Sequence, residues 1–532
     1  MPANYVRPAT AGAPALVDIQ IPADDRPAET RPATQPATAA GTMPAAAQRA
    51  EGEPLAISVQ DAILIALEQN PSLRAQRLTL LISRTSEEDQ RAAFDPTLSG
   101  QISGGRNDQR TNVENHTSPV SSSDSMNAQA TIQQYFPTGT TIAANGTVNY
   151  STASFYTDST LLSAQGGLTV TQSLLRGADY QANLASLRQS QIDTKVSQYE
   201  LRGFAESLLA DVESTYWDYA LAARQIEIFD ASLKVAQDQL DQTGELIRVG
   251  RLAESERAAA EAEVALRKED LINAHATLAT TRLHLLQLLS PPAPGKRTSQ
   301  FWTRVVTLKD APFVPTGTLD DVDSHMNVAL ALRPDLNQAR LQIQRDELDV
   351  VRTKNGLLPK MDLFVTLGKT GYAQSFSGSF ADLDGPNYSA LAGVSMSYPL
   401  GDRAPRADYR RATLNKEQAN ESLDNLTELA QVDVRTAHVE ARRAHEQIAA
   451  TTVTRIAQET AFKTESEKLR VGRSTSLLVS QTHRDLLQAQ INEVSAVTTY
   501  LKDLVALYRL EGSLLARRHI EAPGGKAVEA MK

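Results

Sequence analysis

His438 and His445 lie seven residues apart, two turns along one helical pattern, so their imidazoles could in principle share a metal ion. Solvated positions on a coil would have the same spacing. The other histidines of the eight are scattered, and no His-Glu-x-x-His, Gly-x-Ser-x-Gly or phosphate-cradling glycine loop occurs. Cysteine is absent, which removes thiol catalysis, disulfides and Cys-ligated metal sites. His483 stands just past a Val-Gly-Arg turn, where it could face a lumen. Glu254 and Glu256 follow another such turn, where a helix dipole favours carboxylates. This set does not amount to a catalytic constellation, and neither an enzyme nor a cofactor is expected.

The elements that carry these residues occur twice. Ala66, Asn70, Pro71, Ser72 and Leu73 return as Ala329, Arg333, Pro334, Asp335 and Leu336. Asp95–Pro96 returns as Leu358–Pro359, at the same offset of 263 positions. Leu246, Ile247, Arg248, Val249, Gly250 and Arg251 return as Lys468, Leu469, Arg470, Val471, Gly472 and Arg473. Each copy reads helix, strand region, long helix, Val-Gly-Arg turn, long helix. Such a unit cannot bury its own faces, which points to an assembly of repeated copies.

The chain has 532 residues and a formal net charge of −10, which argues against a nucleic-acid partner. Aromatics make up only 5 %, the composition of long helices in close contact. Mean hydropathy is −0.32 and no run of about 18 apolar residues exists, so no transmembrane helix is expected. A β-barrel stays open, because alternating strands keep hydropathy low. Residues 1–54, with Pro22, Pro27, Pro32, Pro36 and Pro44, read as a disordered leader without the apolar core of a signal peptide.

Ser58 and Asn70 read as helix caps. After Asp95–Pro96 the pattern changes to period two. Leu98, Gly100 and Ile102 alternate with Ser99 and Gln101. Similar runs occupy residues 128–136, 141–150 and 168–174, and in the second copy 361–368 and 392–398. Tight Pro137–Thr138–Gly139 contrasts with long connections at 107–125 and 152–163, the unequal ends of an outer-membrane barrel. A β-sandwich insert would share the alternation.

No proline interrupts residues 178–248, about 105 Å of helix at ~1.5 Å per residue. Ile226, Phe229, Leu233, Ala236, Leu240, Thr243 and Ile247 form a heptad seam. A second helix is read to Leu289, a connector strand at 302–308, and later helices over 320–332, 334–356, 406–470 and 476–517. The last carries two apolar stripes, as a helix needs when it touches neighbours on both sides.

Over residues 55–515 the chain resembles the TolC-like outer membrane efflux protein family (outer membrane factors). The matching residues are the paired Asn70–Pro71–Ser72–Leu73 and Arg333–Pro334–Asp335–Leu336 starts, the Phe94–Asp95–Pro96 and Leu357–Leu358–Pro359 junctions, exits such as Ser397–Tyr398–Pro399–Leu400–Gly401, and the Val-Gly-Arg tips. The resemblance implies an α+β membrane protein with two internal structural repeats. Homotrimers would share one outer-membrane β-barrel continuous with a long α-helical coiled-coil barrel in the periplasm. It implies a passive exit duct for efflux or type I secretion, working with a periplasmic adaptor (membrane fusion) protein and indirectly an inner-membrane RND or ABC pump. Outer membrane lipid would be the other partner.

Carried onto this chain, adaptor docking falls on Val249, Gly250, Arg251, Val471, Gly472 and Arg473. Some family members constrict the lumen with aspartates six and nine residues after the second tip glycine. Here Leu478 and Gln481 stand there, and Glu256 could supply a substitute acidic ring. Family members usually give two strands per repeat, whereas the first copy here reads as four, leaving a barrel of 12 or 18 strands.

The map expected is a leader (1–54), first helices (55–96), strands and loops (97–176) and a helical hairpin (177–290). An equatorial connector (291–330) leads to a second first-helix (331–359), strands (360–401), hairpin (402–517) and tail (518–532). A soluble coiled-coil scaffold with β inserts is the competing reading.

Overall fold

Ser58 and Asn70 begin the helical part as their side chains dictate. Ser58 Oγ accepts from Asp61 N at 3.1 Å while Asp61 accepts from Ser58 N, a reciprocal cap. Asn70 Oδ1 accepts from Ser72 N at 2.9 Å, and Pro71 fills the first helical position, where no amide bond is needed. The computed structural model describes residues 55–110, 120–153, 160–289, 302, 304–315, 319–524 and 528. The leader read at 1–54 lies outside them, as do parts of the connector and tail.

The first copy runs β1 (Leu55–Ile57), α1 (Val59–Gln69), α2 (Pro71–Ala92) and four strands, β2 (Thr97–Arg110), β3 (Val120–Tyr135), β4 (Thr140–Ala153) and β5 (Thr160–Ser173). A short α3 (Tyr180–Asn183) precedes α4 (Ala185–Arg248) and α5 (Ser255–Leu289). After β6 (Val306–Leu308) the second copy runs α6 (Val322–Leu332), α7 (Pro334–Gly356), β7 (Lys360–Ala373), α8 (Phe376–Ala381), β8 (Tyr388–Ser397), α9 (Arg403–Arg470), α10 (Ser476–Leu510) and α11 (Leu514–Arg517).

Two expectations are corrected, and one element is added. The connector strand is shorter, residues 306–308 only. The connection between β7 and β8 holds α8, which alternation could not reveal. The last helix stops at Leu510, because Gly512 turns left-handed at φ 71° against Leu332 O and Arg333.

Helix α4 has 64 residues and α9 has 68, each about 100 Å at ~1.5 Å per residue. Two half-length helices flank each long one. Asn70 Nδ2 donates to Leu288 O at 3.1 Å, so α5 ends where α2 begins, and both lie against α4. Likewise Gly512, just past α10, abuts Arg333 at the head of α7, and both helices lie against α9. Strands β2, β3, β4, β5, β7 and β8 form one sheet in that order, with every neighbour antiparallel.

Midway along α4 the main core forms. Tyr216, Leu285, Leu286 and Leu514 are fully buried there. Tyr216 Oη donates to Ile57 O at 3.2 Å and Tyr219 Oη to Val306 O at 2.8 Å, so α4 clamps the parallel pair β1–β6. The end of the chain is latched to the same helix by buried charge. Arg518 makes two bonds to Glu213, at 2.6 and 2.7 Å. Arg202 donates to Gly512 O at 2.8 Å and Gly524 O at 2.7 Å. Glu206 accepts from Leu514 N at 3.2 Å, and His325 Nδ1 lies 2.5 Å from Glu511 Oε2.

Burial pushes the Glu206 carboxyl up to about 7, against the pull of Arg202 and of the Leu514 amide. An unfolded Glu titrates near 4.5, so between these values the native state holds a proton that the unfolded state has lost. This group's contribution to stability is therefore complete below about pH 4.5 and is lost as pH rises through about 7. Glu206→Gln should raise the thermal midpoint in detergent relative to the parent at about pH 8, with little difference at about pH 4.5. Melting curves shifted equally at both pH values would contradict this account.

Candidate functional site: a two-faced sheet and two helical tips

Cross-strand register sorts the sheet residues onto two faces. Opposed residues Leu98, Ile132, Ala144, Leu168, Leu367 and Ala390 form one row across all six strands. Ile102, Ile142, Val148, Val170, Leu363, Val365, Val394 and Met396 share that face. Most of these side chains have no cover: Leu98 is 74 % exposed, Ile102 75 % and Met396 66 %, while α8 lies over the same face at Ala164 and Gly371. An apolar face this wide exceeds what water tolerates on a monomer. It is the chemistry of a lipid-facing wall.

The opposite face is mostly polar and uncharged. Ser99, Gln101, Gln129, Thr131, Asn145, Thr147, Thr169 and Thr366 lie on it, with Leu161, Phe364 and Leu391 as apolar exceptions and Lys360 and Asp362 as charged ones. Its residues bond across strands. Asn127 donates to Asn149, the Thr169 and Thr366 hydroxyls are 3.1 Å apart, and Ser173 Oγ donates to Asp362 at 2.9 Å. Aromatic residues stand at both ends of the sheet. Phe94 stacks on Tyr135, a polar-face residue, at 5.9 Å near the helices, while toward the far end Tyr150 and Tyr388 lie on the apolar face and Tyr372 on the polar one. Tyr150 and Tyr388 suit an aromatic girdle at one membrane interface.

At the other end of the long helices are the two Val-Gly-Arg turns, built alike. Gly250 has φ 72° and Gly472 φ 76°, a left-handed region that costs other residues strain. Arg251 N donates to Leu246 O at 2.8 Å and Arg473 N to Lys468 O at 2.8 Å, capping the carbonyls of α4 and α9. A Cβ at either glycine would meet nothing within 4 Å, so backbone conformation, not crowding, requires glycine. Val249 and Val471 are both 61 % exposed. Nearby charges pair within their own helices, Arg248 with Glu245 at 2.7 Å and Arg470 with Glu467 at 3.0 Å. Among the described residues neither Arg251 nor Arg473 makes an ion pair, and both are exposed.

The candidate constriction residues take equivalent places. Glu256 lies six residues after Gly250 in the first turn of α5, as Leu478 lies six after Gly472 in the first turn of α10. Glu256 is half-buried, and Leu478 and Gln481 are exposed. The position six past the glycine is therefore acidic in one copy and apolar in the other.

Of the three histidines singled out in the sequence, His483 is placed differently from its reading. His483 does not face a lumen: it is buried between the hairpins, its ring 5.1 Å from Phe462 and its Nε2 3.4 Å from Ser232 Oγ. Burial and the Arg267 charge lower its pKa. His438 and His445 do not converge on a metal site. His438 Nε2 sits 3.1 Å from Asp320 O, while His445 packs edge-on against Tyr500 at 5.1 Å. Among the described residues no three His, Asp or Glu side chains cluster as metal ligands.

Comparison with known proteins supplies the remaining evidence. Residues 326–513 match the family model described as outer membrane efflux protein. The pyoverdine export outer membrane protein OpmQ of Pseudomonas putida is 26 % identical over 363 residues, covering 60 % of this chain and 73 % of that protein. The outer-membrane channel OprN superposes with TM-score 0.64 at 19 % identity, over 85 % of this chain and 89 % of its own. The outer membrane protein VceC of Vibrio cholerae does so with TM-score 0.63 at 16 % identity, over 85 % of this chain and 96 % of its own. The Campylobacter jejuni CmeC outer membrane channel gives 0.63 at 16 % identity, over 88 % and 86 %. Residues 326–513 thus carry the sequence pattern of the outer membrane efflux protein family, and the chain shares the fold of these outer-membrane channels over about 85 % of its length.

Proposed function

We propose that three copies of this chain form a passive duct across the outer membrane and periplasm, part of an efflux or type I secretion machine. The observation that carries the proposal is the two-faced sheet set on helices of about 100 Å. The sheet's apolar face fits lipid, and its polar face fits a water-filled lumen. The helices have the length of a periplasmic span. The sequence has no phosphate-cradling glycine loop, and in this reading the driving energy comes from elsewhere, an inner-membrane RND or ABC pump reached through a periplasmic adaptor. The pyoverdine export relative favours small molecules as cargo.

The trimer is favoured by apolar residues that one copy leaves bare. Val432, Val439 and Val453 on α9 stand at multiples of seven and are exposed. That is the spacing of a coiled-coil seam awaiting a partner helix. On α2, Leu78, Leu81 and Ile82 are bare as well. In the closed ring, Glu256, Leu478 and Gln481 are the residues proposed to line the narrow periplasmic end.

The tips are the proposed adaptor contacts. Val249 and Val471 offer small apolar knobs, and Arg251 and Arg473 offer unpaired cations beside them. An adaptor surface presenting an apolar groove flanked by carboxylates would fit both.

Cell fractionation tests the duct. The protein should stay with the outer membrane and need detergent for release, migrating then as a trimer. Clean recovery in the aqueous fraction would favour the scaffold reading instead.

Docking makes its own prediction. Gly472→Pro and Arg473→Glu should each weaken cross-linking to the adaptor several-fold while leaving the trimer intact. Gly472→Ala, which only strains the turn by about 1 kcal/mol, should weaken it less. Adaptor cross-linking unchanged in all three variants would remove the docking role.

A further inference from the structure

The sheet has two open edges, one along β2 and one along β8. We infer that all six strands are wall strands, and that β2 of each copy pairs with β8 of the next to close one eighteen-stranded barrel. This inference rests on the trimeric duct proposed above, and extends it to the barrel's size and cargo.

Four features of the sheet lead there. First, lipid cannot hydrate the backbone amides and carbonyls along these two edges, so in a membrane both need partners. Second, six antiparallel strands place β2 and β8 in opposite directions, so joining β8 to the next copy's β2 keeps the whole ring antiparallel. Six strands from each of three copies give eighteen, an even number, as closure of an antiparallel ring demands.

Third, the strands that the first copy has in excess carry the same two faces as the rest. Leu98 and Ile102 of β2 and Ile132 of β3 share the apolar face of Leu168, Leu367 and Val394. A hairpin folded into the lumen or out over the surface would have no reason to keep that alternation in register with its neighbours.

Fourth, the stagger of the sheet is that of a barrel wall. The row of opposed residues that starts at Thr97, the first residue of β2, passes through Gln133, Ala143, Thr169 and Thr366 and reaches β8 at Leu391. Leu391 lies six residues short of the strand's end at Ser397. Six residues over five strand spacings correspond to a tilt of about 40°, within the range of roughly 35–45° for closed barrels. The same stagger per copy would bring Ser395 opposite Ser99 of the neighbour.

The size has a consequence for transport. Barrel diameter grows roughly in proportion to strand number, so eighteen strands give a mouth about 1.5 times wider than twelve, with about twice the cross-section. Its wall, with Gln101, Thr131, Asn145 and Thr169, is mostly uncharged and polar, Asp362 and Lys360 lying near its helix end. Such an outlet selects weakly by charge and admits bulky hydrophilic cargo that a twelve-stranded mouth would retard.

The natural absence of cysteine allows a direct test in the full chain. Ser395→Cys is combined in turn with Thr97→Cys, Ser99→Cys or Gln101→Cys on β2, and separately with Thr141→Cys or Asn145→Cys on β4. Each variant is oxidised in outer membranes and run on denaturing gels, and its native mass is measured in detergent. The expected result is reducible covalent trimers with at least one β2 position and none with β4. Trimers cross-linked through β4 but not β2 would mean a twelve-stranded wall with the extra hairpin outside it, and would overturn the inference. A trimeric native mass with no cross-link at either strand would overturn it too, while leaving the duct standing. A monomeric native mass would remove the duct reading itself, and the closure with it.

Discussion

Backbone groups cannot go unpaired in hydrocarbon, and most of this architecture follows from that constraint. A sheet of six strands with a bare apolar face has no stable life alone in either water or lipid. In the proposed duct it continues into other copies until no edge remains. On that reading assembly is a condition of the fold, not an addition to it. The helices inherit the same requirement, since α9 and α2 leave apolar stripes that one chain cannot cover.

The sheet and the tips are held in relation to one another at the middle of α4. Tyr216 and Tyr219 fix β1 and β6 to this helix, and Arg518, Arg202 and Glu206 tie the end of the chain to it. Glu213 is fully buried and paired with Arg518, so removing Arg518 would strand its charge. Below this belt the hairpins α4–α5 and α9–α10 meet again around the buried His483, beside Ser232 and Phe462, and then run on to exposed turns.

Much of this was legible in the sequence, because the rules involved are local. Asn70 before Pro71, the two-residue alternation from Leu98 to Ile102, and Gly250 and Gly472 after long proline-free runs each announce an element through its own backbone chemistry. What stayed hidden depends on distant partners. His483 carries no sign in its neighbours that Phe462 and Ser232 would enclose it. Gly512 ends α10 because Arg333, far away in the chain, occupies the space beyond. Helix α8 has too few residues for a periodicity to show. The row from Thr97 to Leu391 is a property of strand register, which alternation alone leaves free to slip by even steps.

The account stands on a water-filled passage through an assembly of three chains. Single-channel recording of detergent-purified protein in a planar lipid bilayer, with the particle mass measured on the same preparation, addresses it most directly. A particle containing three copies of the 57.7 kDa chain, giving small and long-lived conductance steps, is the predicted result, a duct narrowed at its periplasmic end. A water-soluble particle that never conducts would contradict it, and would return the strands to a scaffold.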